Sequence, residues 1–501
     1  MTDASVAPPP GSDAPAGPNV PQVSPQLVGL AVVLGVVGAV AASLFLEGVA
    51  AATDLIWTTL PQELGFGEPP DWWVFAALIV AALFVFAAWR LPGHTGKGPL
   101  SGLHFDLDQR TAPSFLLAAL GTLIFGAVLG PEAPLIALGT GLGALIFARK
   151  GGPAKQLGML LTGGAAIGSI FGSPFITAFL FLEFAAFGAL PAIALVPLFV
   201  ALASGYIVQI GINHFAGFGT HSLAVPGIPP YDQLLVGDLL GGVVIAVIAG
   251  AIAILVRQLA ARIEQLADSR AAAVLFGGAL LTALLAVVAR AITGQPVETV
   301  LFSGQSGMPL IVEETAAGTV LVLLLAKAGA YAIGLGAGFR GGPIFPAAAL
   351  GTAAGVLASL VVGDLSLAPM VVSAMAASIA ASLKMPFTSA LMAVLITSGA
   401  GVDVVPLAVI GAVVGLAMRQ ALDRRDVSEG LEASPAATAP RSRRAGPRAR
   451  RRYCAPPSAG SRPGREEIEA GTSFPKRPAQ VHHEPSRELH RRLSPCTVSS
   501  W

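Results

Sequence analysis

Val128-Leu-Gly130-Pro131-Glu132-Ala133-Pro134-Leu-Ile-Ala-Leu-Gly139 sets a single carboxylate inside an otherwise apolar run. An acid at membrane depth is expensive, so one that persists there is functional by default. Pro134 suits the first turn of a helix, which puts Glu132 at that helix's positive end. The unpaired N–H groups of a first turn make a ready anion site, and a carboxylate there is a tethered mimic of a free anion. A helix-capping acid at the membrane surface would look the same, and position alone does not separate the two.

The membrane itself follows from composition. Of the 501 residues, 54% are hydrophobic and only 12% charged, half the charge of an ordinary soluble protein at about 25%. Residues 421–501 hold 16 of the 30 Lys and Arg and 9 of the 29 acids, leaving 14 bases and 20 acids for the first 420 residues. Such a body cannot wet a globular surface and is polytopic in a membrane. Two cysteines, Cys454 and Cys496, both in the polar tail, exclude a disulfide scaffold or a cysteine-rich metal site. A net charge of +1 gives no reason to expect nucleic acid as a partner. The Pro-, Ala- and Ser-rich start has no basic stretch before the first apolar run, which reads as a disordered lead-in and not as a cleaved signal peptide.

Full-length spans are expected near Leu27–Val49, Trp72–Leu91, Leu234–Val256, Ala271–Thr293 and Thr319–Gly338. Shorter apolar pieces lie near Phe115–Leu129, Pro134–Phe147, Leu157–Phe171, Pro174–Leu190, Ile344–Val362 and Pro386–Ile396. A piece of about 15 residues cannot cross ~30 Å as a straight helix, so it must pack inside protein or line a cavity. Part of this pattern repeats. Pro134-Leu-Ile-Ala-Leu138-Gly139-Thr140 recurs as Pro346-Ala-Ala-Ala-Leu350-Gly351-Thr352, and Ser173-Pro174-Phe175 meets Met385-Pro386-Phe387 at the same offset of 212 (134 to 346, 174 to 386). Duplicated halves with matching broken helices point to a binding site near the midplane. The expected organisation is a disordered segment 1–26, a first membrane repeat 27–213, a linker 214–231, a second repeat 232–420 and a disordered, basic, Pro-rich tail 421–501 on the cytoplasmic side.

In the second half, Gly338-Phe-Arg-Gly341-Gly342-Pro343-Ile344-Phe345-Pro346 matches the Glu132 stretch in kind. Its glycines let backbone approach a ligand closely, and its prolines again start a helix. Two helix N-termini from related halves then converge on one small anion.

These residues resemble the CLC family of chloride channels and proton/chloride antiporters. Leu129-Gly-Pro-Glu-Ala-Pro134 is similar to the family's G-[KR]-E-G-P, Gly341-Gly-Pro-Ile-Phe-Pro346 to its G-G-x-F-x-P, and Phe171-Gly-Ser-Pro-Phe175 through Glu183 to its A-P-L-A-G-x-L-F-x-x-E. His94-Thr-Gly-Lys-Gly-Pro99 falls where the family has G-S-G-I-P. The resemblance implies an all-α polytopic fold of two inverted-topology repeats of tilted and broken helices, and a homodimer in the cell membrane with one anion pathway per subunit. It implies transport of chloride or a similar anion, no enzymatic activity and no cofactor. Carried over by position, Glu132 is the gate and candidate proton carrier. The anion contacts fall on Thr95, Gly96 or Lys97 in the first loop, Ala133 beside the gate, and the Ile344 and Phe345 N–H groups. Gly130, Pro134, Gly341, Gly342 and Pro346 shape the supporting loops.

The departures bear on mechanism. Pro131 and Ala133 replace a basic residue and a glycine beside the gate. The inner acid of the antiporters falls on Phe184, one residue after Glu183, and the inner-gate tyrosine has no counterpart in the membrane region. Adjacent helical residues point about 100° apart, so Glu183 is expected to be structural, at a helix end or within the dimer. A passive channel and a proton path through water both stay open. Lys327 and Arg290 are expected to snorkel or to pair with Glu313 or Glu314, and Arg340 to supply a vestibule charge. Two rivals remain. A cation-coupled organic-solute transporter would use Glu132 to bind its cation. An intramembrane serine protease at Ser303-Gly-Gln-Ser306-Gly lacks a histidine in any apolar span.

Overall fold

The computed structural model describes residues 24–433 except 108, 189 and 217–222. Among these residues there are fifteen α-helices and no strand. They are α1 (Pro25–Asp54), α2 (Leu60–Glu63), α3 (Asp71–Ala88), α4 (Ala112–Ile124), α5 (Glu132–Ile146), α6 (Pro153–Gly168), α7 (Pro174–Ala186), α8 (Leu195–Ala216), α9 (Val236–Thr293), α10 (Gly307–Val312), α11 (Ala317–Gly336), α12 (Ile344–Val361), α13 (Leu367–Leu383), α14 (Pro386–Ile396) and α15 (Val405–Ala433). Residues 1–23 and 434–501, which carry most of the two terminal segments read as disordered, lie outside the described residues.

Local chemistry starts many of these helices. Ser24 caps α1 by accepting the Leu27 N–H (3.2 Å), and Ser173 caps α7 by accepting that of Phe175 (3.3 Å). Pro25, Pro153, Pro174 and Pro386 open α1, α6, α7 and α14, where a missing N–H costs nothing. The two spans expected at 234–256 and 271–293 are two helices that follow one another as α9, with a kink between them at Arg270, whose φ of −142° leaves the helical region.

Seven helical stretches are long and apolar enough to cross a membrane among the described residues, including Ile344–Val361, which the sequence places among the short pieces. Five helices have no counterpart among the expected spans: the short α2 and α10, and the longer α8, α13 and α15. The most instructive is α13, which is rich in Ala and Ser and buried from Ala368 to Ser382. Alanine is the best helix former but barely hydrophobic, so an interior helix of small residues gives little hydropathy contrast. Buried small residues let helices approach closely. Here Gly351 and Gly355 of α12 lie so near Met375 and Val371 of α13 that a Cβ on either would collide with backbone.

The repeat is visible in the helix starts. Glu132 and Ile344 open α5 and α12, Pro174 and Pro386 open α7 and α14, and both pairs are 212 residues apart (132 to 344, 174 to 386). Between the two halves runs one isolated antiparallel bridge, Gly130 with Gly342, again 212 apart (130 to 342). Each glycine donates to the other's carbonyl, at 2.8 and 2.6 Å. A residue paired antiparallel with its own counterpart is what a two-fold axis between the halves produces.

Candidate functional site

The bridge brings the N-termini of α5 and α12 together, and neither helix reaches the surface there: Glu132, Ile344 and Phe345 are all completely buried. Glu132 Oε1 accepts the backbone N–H of Phe345 at 2.8 Å, while Oε2 has no hydrogen-bond partner. The carboxylate therefore sits where the unpaired N–H groups of α12 point. Glycine is required on both sides of it, because a Cβ at Gly130 or Gly342 would run into the Glu132 carboxylate. Tyr331, one of the largest buried side chains, donates its hydroxyl to the Pro343 carbonyl at 2.8 Å and so fixes the entrance to α12.

The loop after α3 supplies the other wall. Gly93, His94, Thr95 and Gly96 have φ of 88°, 46°, 65° and 61°, four successive left-handed residues. This turn buries Thr95 completely and leaves its hydroxyl without a partner, while its N–H donates to Ser114 Oγ (3.1 Å). Gly96 and Lys97 stay exposed, and the Lys97 ammonium pairs with Asp106 at 3.2 Å. Of the three residues on which the first-loop contact falls, Thr95 is thus the one whose side chain is buried.

Arg340 joins the two walls. Its Nε donates to the Thr95 carbonyl (3.0 Å), Nη2 to that of Gly96 (3.4 Å), and Nη1 to those of Gly338 and Phe339 (3.0 and 3.1 Å). Its own N–H reaches Thr122 Oγ1 at 3.1 Å. A cavity of about 190 Å³ runs past Gly96, Lys97, Ala133, Arg340 and Gly341. The expected vestibule charge lines this cavity, but its guanidinium is committed to four carbonyls. Ser114, Thr122 and Tyr331 were missed as supports of the site; their signal was a hydroxyl in an apolar stretch, which must find a partner when buried.

The other expected charges resolve differently. Glu183 accepts the N–H groups of Phe387 (2.7 Å) and Thr388 (2.8 Å) and the Thr388 hydroxyl, so it caps the start of α14. Phe184 packs edge-on against Phe105 and beside Phe181. Lys327 neither snorkels nor meets Glu313 or Glu314. It is 1% exposed and donates to the carbonyls of Val300, Leu301 and Phe302 at 3.0, 3.0 and 3.5 Å, which end a short turn with no helix to receive them. Arg290 pairs with Asp71 and donates to the Pro69 carbonyl (2.8 Å), again not with Glu313 or Glu314. Ser303 donates to Gln305 Oε1 (3.4 Å), an amide that cannot act as a base.

Broken helices in two related halves, whose N-termini meet around a buried carboxylate, define a membrane transporter built to handle anions. Residues 94–420 match the voltage gated chloride channel family, and the chain belongs to it. It is a multi-pass membrane protein that transports small inorganic anions. Among similar relatives is YfeO, provisionally described as an ion-transport protein. The YfeO of Escherichia coli O139:H28 is 28% identical over 340 residues, 65% of this chain and 77% of that protein. The YfeO of Escherichia fergusonii is 27% identical with the same coverage. Among solved structures, a slow cyanobacterial Cl⁻/H⁺ antiporter superposes with a TM-score of 0.67 at 17% identity, over 82% of this chain and all of that one. A CLC-type fluoride/proton antiporter gives 0.58 at 17%, over 79% and 95%. A eukaryotic CLC transporter gives 0.59 at 16%, over 79% and 72%.

Proposed function

We propose that the protein conducts chloride across the cell membrane, through one pathway in each subunit of a homodimer, with Glu132 as the gate. The observation that carries this is the Glu132 carboxylate on the Phe345 N–H, with its second oxygen unpartnered. A carboxylate and a free anion compete for the same donors, so a swing of Glu132 away from α12 vacates a position that chloride can take. The Ile344 and Phe345 N–H groups would then hold the anion from one side. The free Thr95 hydroxyl would hold it from the other, with Ala133 and the Gly130, Gly341 and Gly342 backbone close by. Pro134 and Pro346 keep the two helix starts in place. A cation at the same point would face N–H donors, which argues against the cation-coupled solute transporter.

The wall around Phe184 is aromatic, with Phe105 and Phe181 beside it, and this supports flux uncoupled from protons; any proton that does move would travel on Glu132. On the side where α3 ends and α9 bends, seven basic residues, Arg90, Lys97, Arg257, Arg262, Arg270, Lys384 and Arg419, outnumber four acids, Asp106, Glu264, Asp268 and Asp423. The opposite side carries Asp71, Glu298, Glu313 and Glu314 around Arg290. That bias supports a cytoplasmic location for the first side. Exposed Phe175 and Phe387, counterparts in the repeat, and Phe179 beside them supply apolar surface able to receive a second subunit within the bilayer.

Reconstitution of the full chain in liposomes tests the proposal, with chloride and fluoride efflux measured with and without a proton gradient. Chloride efflux that ignores the gradient is the expected result. Immobility of both anions would overturn the transport reading, and uphill chloride movement on a proton gradient would replace passive flux with exchange.

A further inference from the structure

The cavity beside the candidate site has a charged mouth. Ala133 and Gly341 lie at its inner end, and the partly exposed loop 97–106 brings Lys97, His104 and Asp106 to its rim. The Lys97–Asp106 pair is 3.2 Å apart, with side chains 58% and 67% exposed. A pair so wet is held by about 1 kcal/mol or less, so the lysine is open to any anion that comes in its place. The volume of about 190 Å³ admits a small anion together with several waters, each taking ~30 Å³.

His104 adds a second element. Its Nε2 lies 2.9 Å from Ser101 Oγ, and that hydroxyl already donates its one proton to the Gly98 carbonyl at 2.5 Å. Ser101 can therefore only accept from the ring, which makes Nε2 the protonated nitrogen and leaves Nδ1 to take a further proton without breaking the bond. Burial, and after it the Lys97 charge, hold the His104 imidazole below its ordinary range, with Asp106 opposing. The ring is thus neutral near neutrality and gains charge on acidification. The other charged groups around this mouth are Arg340, Arg257, which donates to the Leu100 carbonyl at 3.0 Å, and Glu264, which lies against Gly98.

We propose that Lys97 and Asp106 form a latch at this mouth, in which an incoming small monovalent anion takes the place of Asp106 on Lys97, and that a proton on His104 strengthens the captured state. Asp106 then does at the rim what Glu132 does at depth: it is a tethered competitor that keeps a cationic position filled until a free anion arrives. This rests on the anion pathway proposed above.

The test measures chloride binding to the purified full-length protein in detergent by titration calorimetry, and half-saturating chloride for flux in liposomes. Asp106→Asn should tighten chloride about three-fold and Lys97→Met should weaken it about three-fold, the size of one exposed ion pair. In the double variant Asp106→Asn should add nothing to Lys97→Met, because the competitor has nothing left to compete for. Lowering the pH from about 7 to about 5 should tighten chloride in the wild type and do so less in His104→Asn. Unchanged binding in Asp106→Asn, effects that simply add in the double variant, or a His104→Asn profile identical to wild type would overturn the latch. Absence of chloride flux from every variant, with the binding differences intact, would instead overturn the transport reading and leave the latch standing.

Discussion

Glu132 and Glu183 are two acids of the first half that reach across to helix N-termini of the second. Both are buried, and both meet helices that start 212 residues after their own (α5 to α12, α7 to α14). They differ in saturation. Glu183 accepts two N–H groups and a hydroxyl, so each oxygen is occupied. Glu132 accepts one N–H and leaves Oε2 bare. A hydrogen bond to a charged group is worth about 1.5–3 kcal/mol, so one acid is fastened three times over and the other once. The same device, repeated in one fold, is saturated at the start of α14 and left with a free acceptor at the start of α12.

The largest effect that could break this contrast is on stability. Glu183→Ala should cost about 3 kcal/mol or more, since three donors at the start of α14 lose their acceptor. Thermal unfolding and monodisperse yield in detergent would show it. Glu132→Ala should lower stability far less, and an equal loss from both would erase the distinction. Next in size is Gly342→Ala, whose added Cβ would displace the Glu132 carboxylate. Chloride flux should rise about ten-fold, the equivalent of one charged hydrogen bond. It should rise no further when Gly342→Ala is added to Glu132→Ala; a further gain would mean that the glycine acts on something other than the acid. Smallest is Thr95. Replacing it with Ala should raise half-saturating chloride about five-fold, the worth of a ~1 kcal/mol hydrogen bond, while Thr95→Ser stays near wild type. Equal behaviour of the two variants would remove the hydroxyl from the pathway.

Much of the fold was legible because its signals are local. A carboxylate in an apolar run, prolines at helix starts and a 212-residue echo can be read along the chain, and they placed Glu132, Pro134, Pro346 and the broken helices. What stayed hidden depends on partners far away in sequence. Whether Thr95, Gly96 or Lys97 turns inward is decided by four left-handed residues in a row, only two of them glycine, and residue type does not announce that. The partners of Lys327 are carbonyls, which every residue has, so sequence offered only acids to pair it with. Arg340 is likewise bound to backbone more than 240 residues away. Helix α13 escaped because its burial rests on small residues fitting closely and not on hydrophobic weight.

The Gly130–Gly342 bridge sets a clock as well as a shape. Its two hydrogen bonds lock the halves at the point where the anion would pass, so the proposed gate works by rotation of one side chain and not by rocking of one half against the other. Rotamer changes of exposed side chains take picoseconds to nanoseconds and collective domain motions microseconds to milliseconds; a buried, hydrogen-bonded carboxylate such as Glu132 turns more slowly than an exposed one. A pathway opened by Glu132 alone needs no collective motion of the halves, and its throughput is then set by how often the buried carboxylate leaves the Phe345 N–H.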